Sequence, residues 1–382
     1  MGDPGGSPAL SPLGHGRAVR TVVVTGMAGS LGQRVASRLA ARPDVDRVVG
    51  VDVVPSMWTD PKLDMRMIDL ALDDAPGSGR LETVLEGAEA LIHLAWRTPD
   101  SRGSVPADDV AAATANQRAL RRVLEAAGRA RIPAVVHLSS ATVYGAWADN
   151  KIPLTEDARL RPNRELSYAV SKAEAERVVA EWAEQHPEVA VAVLRPAVTV
   201  GFEERPLYLA LGVTRSPGSG DGGRPVQYLH VDDLAGAVVT AWEKRLSGVY
   251  NVAPDTGISE EEARALAGGV AKVTLPGRVA RAVSAWSWQL FRQGIPVEAR
   301  AYATHPWVVA PDRLKAAGWT PQYSSEEALV ATDARPHWDD LPPGRRQNYN
   351  LMVALIAVLG TVAGVTAGVA ALRARSRRSQ PL

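Results

Sequence analysis

The chain has 382 residues and not one cysteine, which excludes disulfides, thiolate nucleophiles and cysteine-ligated zinc. Redox chemistry in such a protein has to come from a bound cofactor. Charge of one sign is also missing. The 43 basic and 42 acidic residues leave a net charge of +1, too small for a global field that would draw nucleic acid or an anionic membrane surface. The first 18 residues, rich in Gly, Pro and Ser, contain no apolar run of the secretory kind and read as a disordered lead-in. Gly6 breaks the myristoylation pattern.

What the chain does have is an alternation of strand-like and helix-like stretches. Arg20–Thr25 is a β-branched run of the kind buried on both faces in a parallel sheet. A helix with Leu31, Val35 and Leu39 on one face follows, and then a second strand, Arg47–Asp52, which ends in an acid. Further strands are expected at Ala90–Leu94, Ala134–Leu138 and Val189–Leu194, separated by helices near 107–129 and 166–186. This order predicts an α/β fold with a doubly wound parallel sheet.

The Gly- and Pro-rich stretch 216–225 predicts a mobile loop. Beyond it, Val226–Val231 and Gly248–Val252 read as strands flanking a helix from Asp233 to about Glu243, which Asp232 is expected to cap. Residues 19–201 are therefore read as a dinucleotide-binding domain to which 226–252 returns. Residues 202–332 are read as a smaller interleaved substrate lobe, with Trp286, Trp288 and Phe291 packing its core.

From Leu351 to Leu372 no residue is charged, and at ~1.5 Å per residue these positions reach about 33 Å, enough to cross a bilayer core. A C-terminal transmembrane helix over 350–372 is expected, joined by a linker at 333–349 and followed by a basic tail at 373–382. Gly360, Gly364 and Gly368 form a stripe along it that allows close helix approach. The four arginines of the tail favour a cytoplasmic C-terminus, which conflicts with a cytoplasmic cofactor-dependent domain on a single span. The expected location is membrane-associated with the catalytic domain in the cytoplasm.

Two constellations carry chemistry. In Thr25-Gly-Met-Ala-Gly-Ser-Leu-Gly32, the absent β-carbons of Gly26, Gly29 and Gly32 allow a tight turn, close approach to a pyrophosphate and packing of the helix on the sheet. The helix start at Ser30 and Leu31 adds free N–H groups. Asp52, 20 residues past Gly32 at a strand end, suits two ribose hydroxyls and repels a 2′-phosphate, so NAD is expected over NADP. Downstream, Tyr168 and Lys172 are four apart on one helix face, and the ammonium is expected to lower the phenol pKa for acid/base work. His93, His137 and His230 lie on separate strands without metal-ligand spacing, so no metal is expected.

These residues resemble the extended short-chain dehydrogenase/reductase family, the NAD-dependent epimerase/dehydratase group that includes UDP-glucose 4-epimerase. The likeness runs from about residue 20 to 332. Besides the glycine turn it rests on Ile68-Asp-Leu70, His93-Leu-Ala95, Ser139-Ser-Ala-Thr-Val-Tyr-Gly145, Tyr168-Ala-Val-Ser-Lys172, Leu194-Arg-Pro196 and His230-Val-Asp-Asp-Leu234. The resemblance implies that Asp69, beside Leu70, contacts the adenine, that Ala95 lines the cofactor edge and that Asn116 supports the site. It further implies that Ser140 bonds the reacting oxygen with Thr142 assisting, that Tyr168 exchanges the proton, and that Lys172 holds the nicotinamide ribose.

A small-molecule substrate and a homodimer are also implied. Where nucleotide-sugar enzymes of the family carry an Asn after the Leu-Arg strand and an Arg-Asp pair before the His-Val motif, this chain has Ala197-Val198 and Val226-Gln227. Those exchanges point to a less polar alcohol or ketone, with a nucleotide-sugar epimerase or a membrane-tethered dinucleotide-binding regulator as alternatives.

Overall fold

The computed structural model describes residues 20–72, 80–97, 106–201, 225–266 and 297–331. Their frame is a seven-stranded sheet in the order β10-β6-β5-β4-β1-β2-β3, parallel at every pairing. Its strands are β1 (Thr21–Thr25), β2 (Arg47–Asp52), β3 (Leu63–Met67), β4 (Ala90–His93), β5 (Ala134–Leu138), β6 (Ala190–Pro196) and β10 (Gly248–Val252). Alternate residues of β1 enter opposite cores. Val22 and Val24 face α1 (Ser30–Ala40) and α5 (Val231–Glu243), whereas Val23 faces α3 (Pro106–Arg129) and α4 (Ser167–Gln185). Burial on both faces is why β1 reads as an unbroken β-branched run. α2 (Arg80–Leu85) covers the edge of the second face.

Because β1 pairs with β2 on one side and β4 on the other, the winding reverses there and opens a crevice at the carboxyl ends of β1 and β4. β3 was not anticipated: Leu-Asp-Met-Arg-Met is an edge strand with partly exposed residues and no apolar run. The 226–231 segment also differs from expectation. Instead of one strand it forms β8 (Pro225–Val226), paired antiparallel with β11 (Ile258–Ser259), and β9 (Tyr228–His230), paired parallel with β7 (Val198–Val200). Gln227 between them turns away from the ladder and spends its amide on Val309 N–H, Val309 C=O and Pro254 C=O.

A smaller core of Val200, Val226, Tyr228, Ile258, Ala263, Ala328 and Leu329 joins these strands to α6 (Glu260–Leu266) and α9 (Ser325–Ala331). α7 (Arg300–Thr304) and α8 (Asp312–Ala316) complete the described chain. Asp232 is not the cap of α5. That helix starts two residues earlier than expected because His230 Nδ1 accepts from Asp232 N–H at 3.2 Å, which frees the Asp232 carboxylate to pair with Arg34 on α1 at 3.1 Å.

No helix among the described residues is long and apolar enough to cross a membrane. The expected span at 350–372, the loop at 216–225 up to Arg224, and Trp286, Trp288 and Phe291 lie outside the described residues.

Candidate active site

The glycine turn sits where β1 passes into α1. Gly26 adopts φ +74°, closed to most side chains, and its N–H donates to Val51 C=O at 2.9 Å. A β-carbon on Gly26 would stand 2.7 Å from Ala95 N, so the turn and the end of β4 meet backbone to backbone. Gly32 is as constrained, with a β-carbon there 2.2 Å from Gly26 O. Gly29 differs. It caps α1 in an extended conformation open to any residue, and its β-carbon would meet nothing nearer than Gly26 O at 3.4 Å. Protein packing explains Gly26 and Gly32 but not Gly29, whose bare Cα fits a ligand that approaches the helix start.

Asp52 ties this turn to β2, accepting from Ala28 N–H at 2.9 Å and from Val53 N–H at 2.7 Å. Ser30 Oγ and Leu31 begin α1; Ser30 accepts from Arg34 at 2.8 Å and Leu31 is buried. Asp69 accepts from Ala71 N–H and, through both oxygens, from Arg97 at 2.7 Å. Burial opposes the charge on Asp69, yet those bonds hold its carboxyl below the usual range. Leu70 is buried beside it. Ala95 N–H donates to Thr25 Oγ1 at 3.3 Å, where the end of β4 meets the glycine turn. Asn116 Oδ1 accepts from Arg97 N–H and its Nδ2 donates to Arg97 C=O, both at 2.8 Å, so it fixes the loop after β4.

The proton-moving groups converge at the end of β5 and the first turns of α4. Ser140 caps a 3-10 turn and its Oγ accepts from Thr142 N–H at 3.3 Å and Thr142 Oγ1 at 2.9 Å. With both lone pairs engaged, the Ser140 proton is free to donate, and Ser140 lies close enough to the Tyr168 hydroxyl to favour its phenolate. One helical turn on, Lys172 Nζ donates to Leu138 C=O at 2.8 Å. Tyr302, which the sequence pattern did not single out, donates to Thr142 C=O at 2.7 Å and so braces the serine turn from α7.

The expected depression of the phenol is not what the site produces. Burial pushes Tyr168 up to about 12 against the opposing Ser140 bond, and burial pulls Lys172 down to about 7 against the Glu176 carboxylate. The ammonium sits 5.9 Å from the Tyr168 ring centre. Both groups favour their neutral forms, so at neutral pH Tyr168 holds its proton.

Behind α4 lies a buried polar network, also unforeseen. Arg195 on β6 bonds both oxygens of Glu176, at 2.9 and 2.5 Å, and the Tyr144 hydroxyl at 2.8 Å, while Ser139 donates to Glu176. Tyr144 in turn donates to Asn251 at 2.7 Å. Of the three histidines, His93 bonds Thr25 Oγ1 at 2.8 Å and stacks on His137. Burial and the nearby Lys172 charge lower His93 to about 3 and His137 well below its ordinary value, so both are neutral.

The NAD dependent epimerase/dehydratase family model matches residues 22–253, and the chain belongs to that family. An uncharacterised protein of Mycobacterium tuberculosis is 25% identical over 327 residues, covering 82% of this chain and 84% of that protein. The structure of Thermus thermophilus UDP-glucose 4-epimerase in complex with NAD superposes with a TM-score of 0.61 at 21% identity, over 82% of this chain and 97% of that one. dTDP-glucose 4,6-dehydratase from Bacillus anthracis in complex with NAD gives 0.59 at 17% identity, over 82% and 96%. At these identities the two solved structures establish the fold.

Proposed function

We propose that the chain is an NAD-dependent enzyme that moves a hydride at a secondary alcohol or ketone carbon, with Tyr168 as acid/base. The observation that carries this reading is the convergence of Ser140, Tyr168 and Lys172 at the carboxyl edge of the sheet, beside a glycine turn with one position, Gly29, that packing leaves open. When bound, the nicotinamide supplies the hydride acceptor and a positive charge that favours the phenolate. Gly26, Gly29, Ser30, Leu31 and Gly32 hold the pyrophosphate, Asp52 the adenine ribose, Asp69 and Leu70 the adenine, and Ala95 the cofactor edge. Lys172 holds the second ribose. Ser140 orients the substrate oxygen, and Tyr168 takes its proton in oxidation and returns it in reduction.

The substrate favoured by this chain is less polar than a sugar nucleotide. Gln227 is consumed by backbone partners, and Ala197 offers only a buried methyl group and an N–H committed to Val252 C=O at 2.9 Å. A nucleotide-sugar epimerase is the second reading, supported by the names of the structural relatives. The test is turnover with NAD on UDP- and dTDP-sugars and on hydrophobic secondary alcohols, followed by nicotinamide absorbance and product analysis. Oxidation of the alcohols, lost in Tyr168→Phe, supports the first reading. Sugar interconversion without net reduction supports the second, and binding of NAD with no Tyr168-dependent turnover of any substrate overturns both in favour of a regulator. The uncharged stretch 351–372 supports a membrane tether, tested by whether a chain ending at residue 349 leaves the membrane fraction.

A further inference from the structure

Trp96, immediately after Ala95, places its indole over the end of Lys172, with Nζ 3.6 Å from the ring centre. The same ring meets Tyr168 edge-on, at 6.5 Å and 86°. Lys172 is 3% exposed and donates one hydrogen bond, to Leu138 C=O. An ammonium has three donors, and here an aromatic face covers what the carbonyl does not. A hydroxyl needs direct approach at roughly 2.7–3.2 Å, so the indole and a ribose cannot use that face of the ammonium together.

The Arg97 backbone next to Trp96 is clamped by Asn116, but Trp96 itself is only partly buried at the crevice. We propose that the indole of Trp96 is a displaceable cover on Lys172, which the nicotinamide ribose of the dinucleotide must push aside, so that Trp96 sets dinucleotide affinity. This rests on the reading that Lys172 holds that ribose. Burial already drives Lys172 toward its neutral form, and the π-face stabilises the charged one until an oxygen partner replaces it. Trp96 has its cation–π and ring contacts with Lys172 and Tyr168 and none with the glycine turn, Asp52 or Asp69, so the adenine half should be unaffected.

ADP, which lacks the second ribose, therefore separates the cover from the rest of the site. Calorimetric titration of the full chain with NAD and with ADP is compared for the parent, Trp96→Phe and Trp96→Ala. Loss of the cation–π contact should tighten NAD binding roughly 2- to 30-fold in Trp96→Ala and less in Trp96→Phe, with ADP affinity unchanged. In the parent labelled with fluorotryptophan, the Trp96 resonance, assigned from its loss in Trp96→Phe, should shift with NAD and not with ADP.

NAD binding that leaves this resonance in place and is indifferent to both variants overturns the cover while leaving the Lys172 reading intact. Weaker NAD binding in Trp96→Ala also overturns it, since the ring would then be a stacking platform kept in the complex. Failure of the parent to bind either nucleotide removes the cofactor reading and the cover with it. Should Trp96→Ala fail to fold, the fluorine signal of the parent and the Trp96→Phe titration decide the matter.

Discussion

A methyl group added at Gly29 and one added at Gly32 should have opposite consequences, although the two glycines belong to one turn. At Gly32 the new carbon would lie 2.2 Å from Gly26 O and 2.8 Å from Met27 Cα, both backbone atoms that cannot rotate away. Relief requires shifting α1 or the turn, a forced overpacking of about 3 kcal/mol, offset by about 1 kcal/mol from the better helix propensity of alanine. Gly32→Ala should therefore lose about 2 kcal/mol of unfolding free energy.

At Gly29 the backbone sits at φ −70°, ψ 156°, and the nearest atom is 3.4 Å away. Gly29→Ala should remain within about 0.5 kcal/mol of the parent. If the dinucleotide pyrophosphate rests on this helix start as proposed, the methyl group intrudes on it, so NAD binding should weaken by about tenfold or more, about 1.4 kcal/mol. Urea denaturation reads the first quantity and calorimetry with NAD the second. Parental NAD affinity in Gly29→Ala, or parental stability in Gly32→Ala, refutes the reasoning that divides packing from ligand approach in this turn.

Further expectations concern the proton machinery. Tyr168→Phe should lower turnover by about 10²–10⁴-fold while leaving NAD affinity near parental, as read by steady-state kinetics beside calorimetry. Lys172 is charged only below its lowered value, so NAD affinity should fall as pH rises through about 7; a flat profile across that range contradicts the role of the ammonium. The same shift carries a stability consequence: between about pH 7 and 10.5 the unfolded chain binds a proton that folded Lys172 has lost, so this residue makes the fold gain stability as pH rises there. Glu176→Ala leaves the Arg195 charge buried without its carboxylate and should cost about 3–5 kcal/mol in denaturant unfolding.

How much of this was legible in the sequence depended on burial. β2, β5 and β10 were readable to the residue because valines recur through each between recognisable ends, whereas β3 was invisible because an edge strand needs no such run. Tyr168 and Lys172 were legible as a pair since helical spacing alone puts them on one face. Their proton affinities were not, because desolvation by the surrounding fold outweighs the neighbouring charge.

The Asp232 assignment followed a propensity that His230 overrode by reaching the helix start first. Trp96, Tyr302 and Asn251 carry no pattern at all. Each acts through partners far away in sequence, as Tyr302 does on Thr142, and only the folded chain brings them together.

The central claim is that Lys172 and Tyr168 serve a nicotinamide ring, and a crystal structure of the chain with NAD tests it most directly. The account predicts Lys172 Nζ within hydrogen-bond distance of the nicotinamide ribose hydroxyls, the Trp96 indole moved aside and the Tyr168 hydroxyl facing the reactive ring carbon. A nicotinamide lodged elsewhere, with both side chains turned from it, contradicts the account.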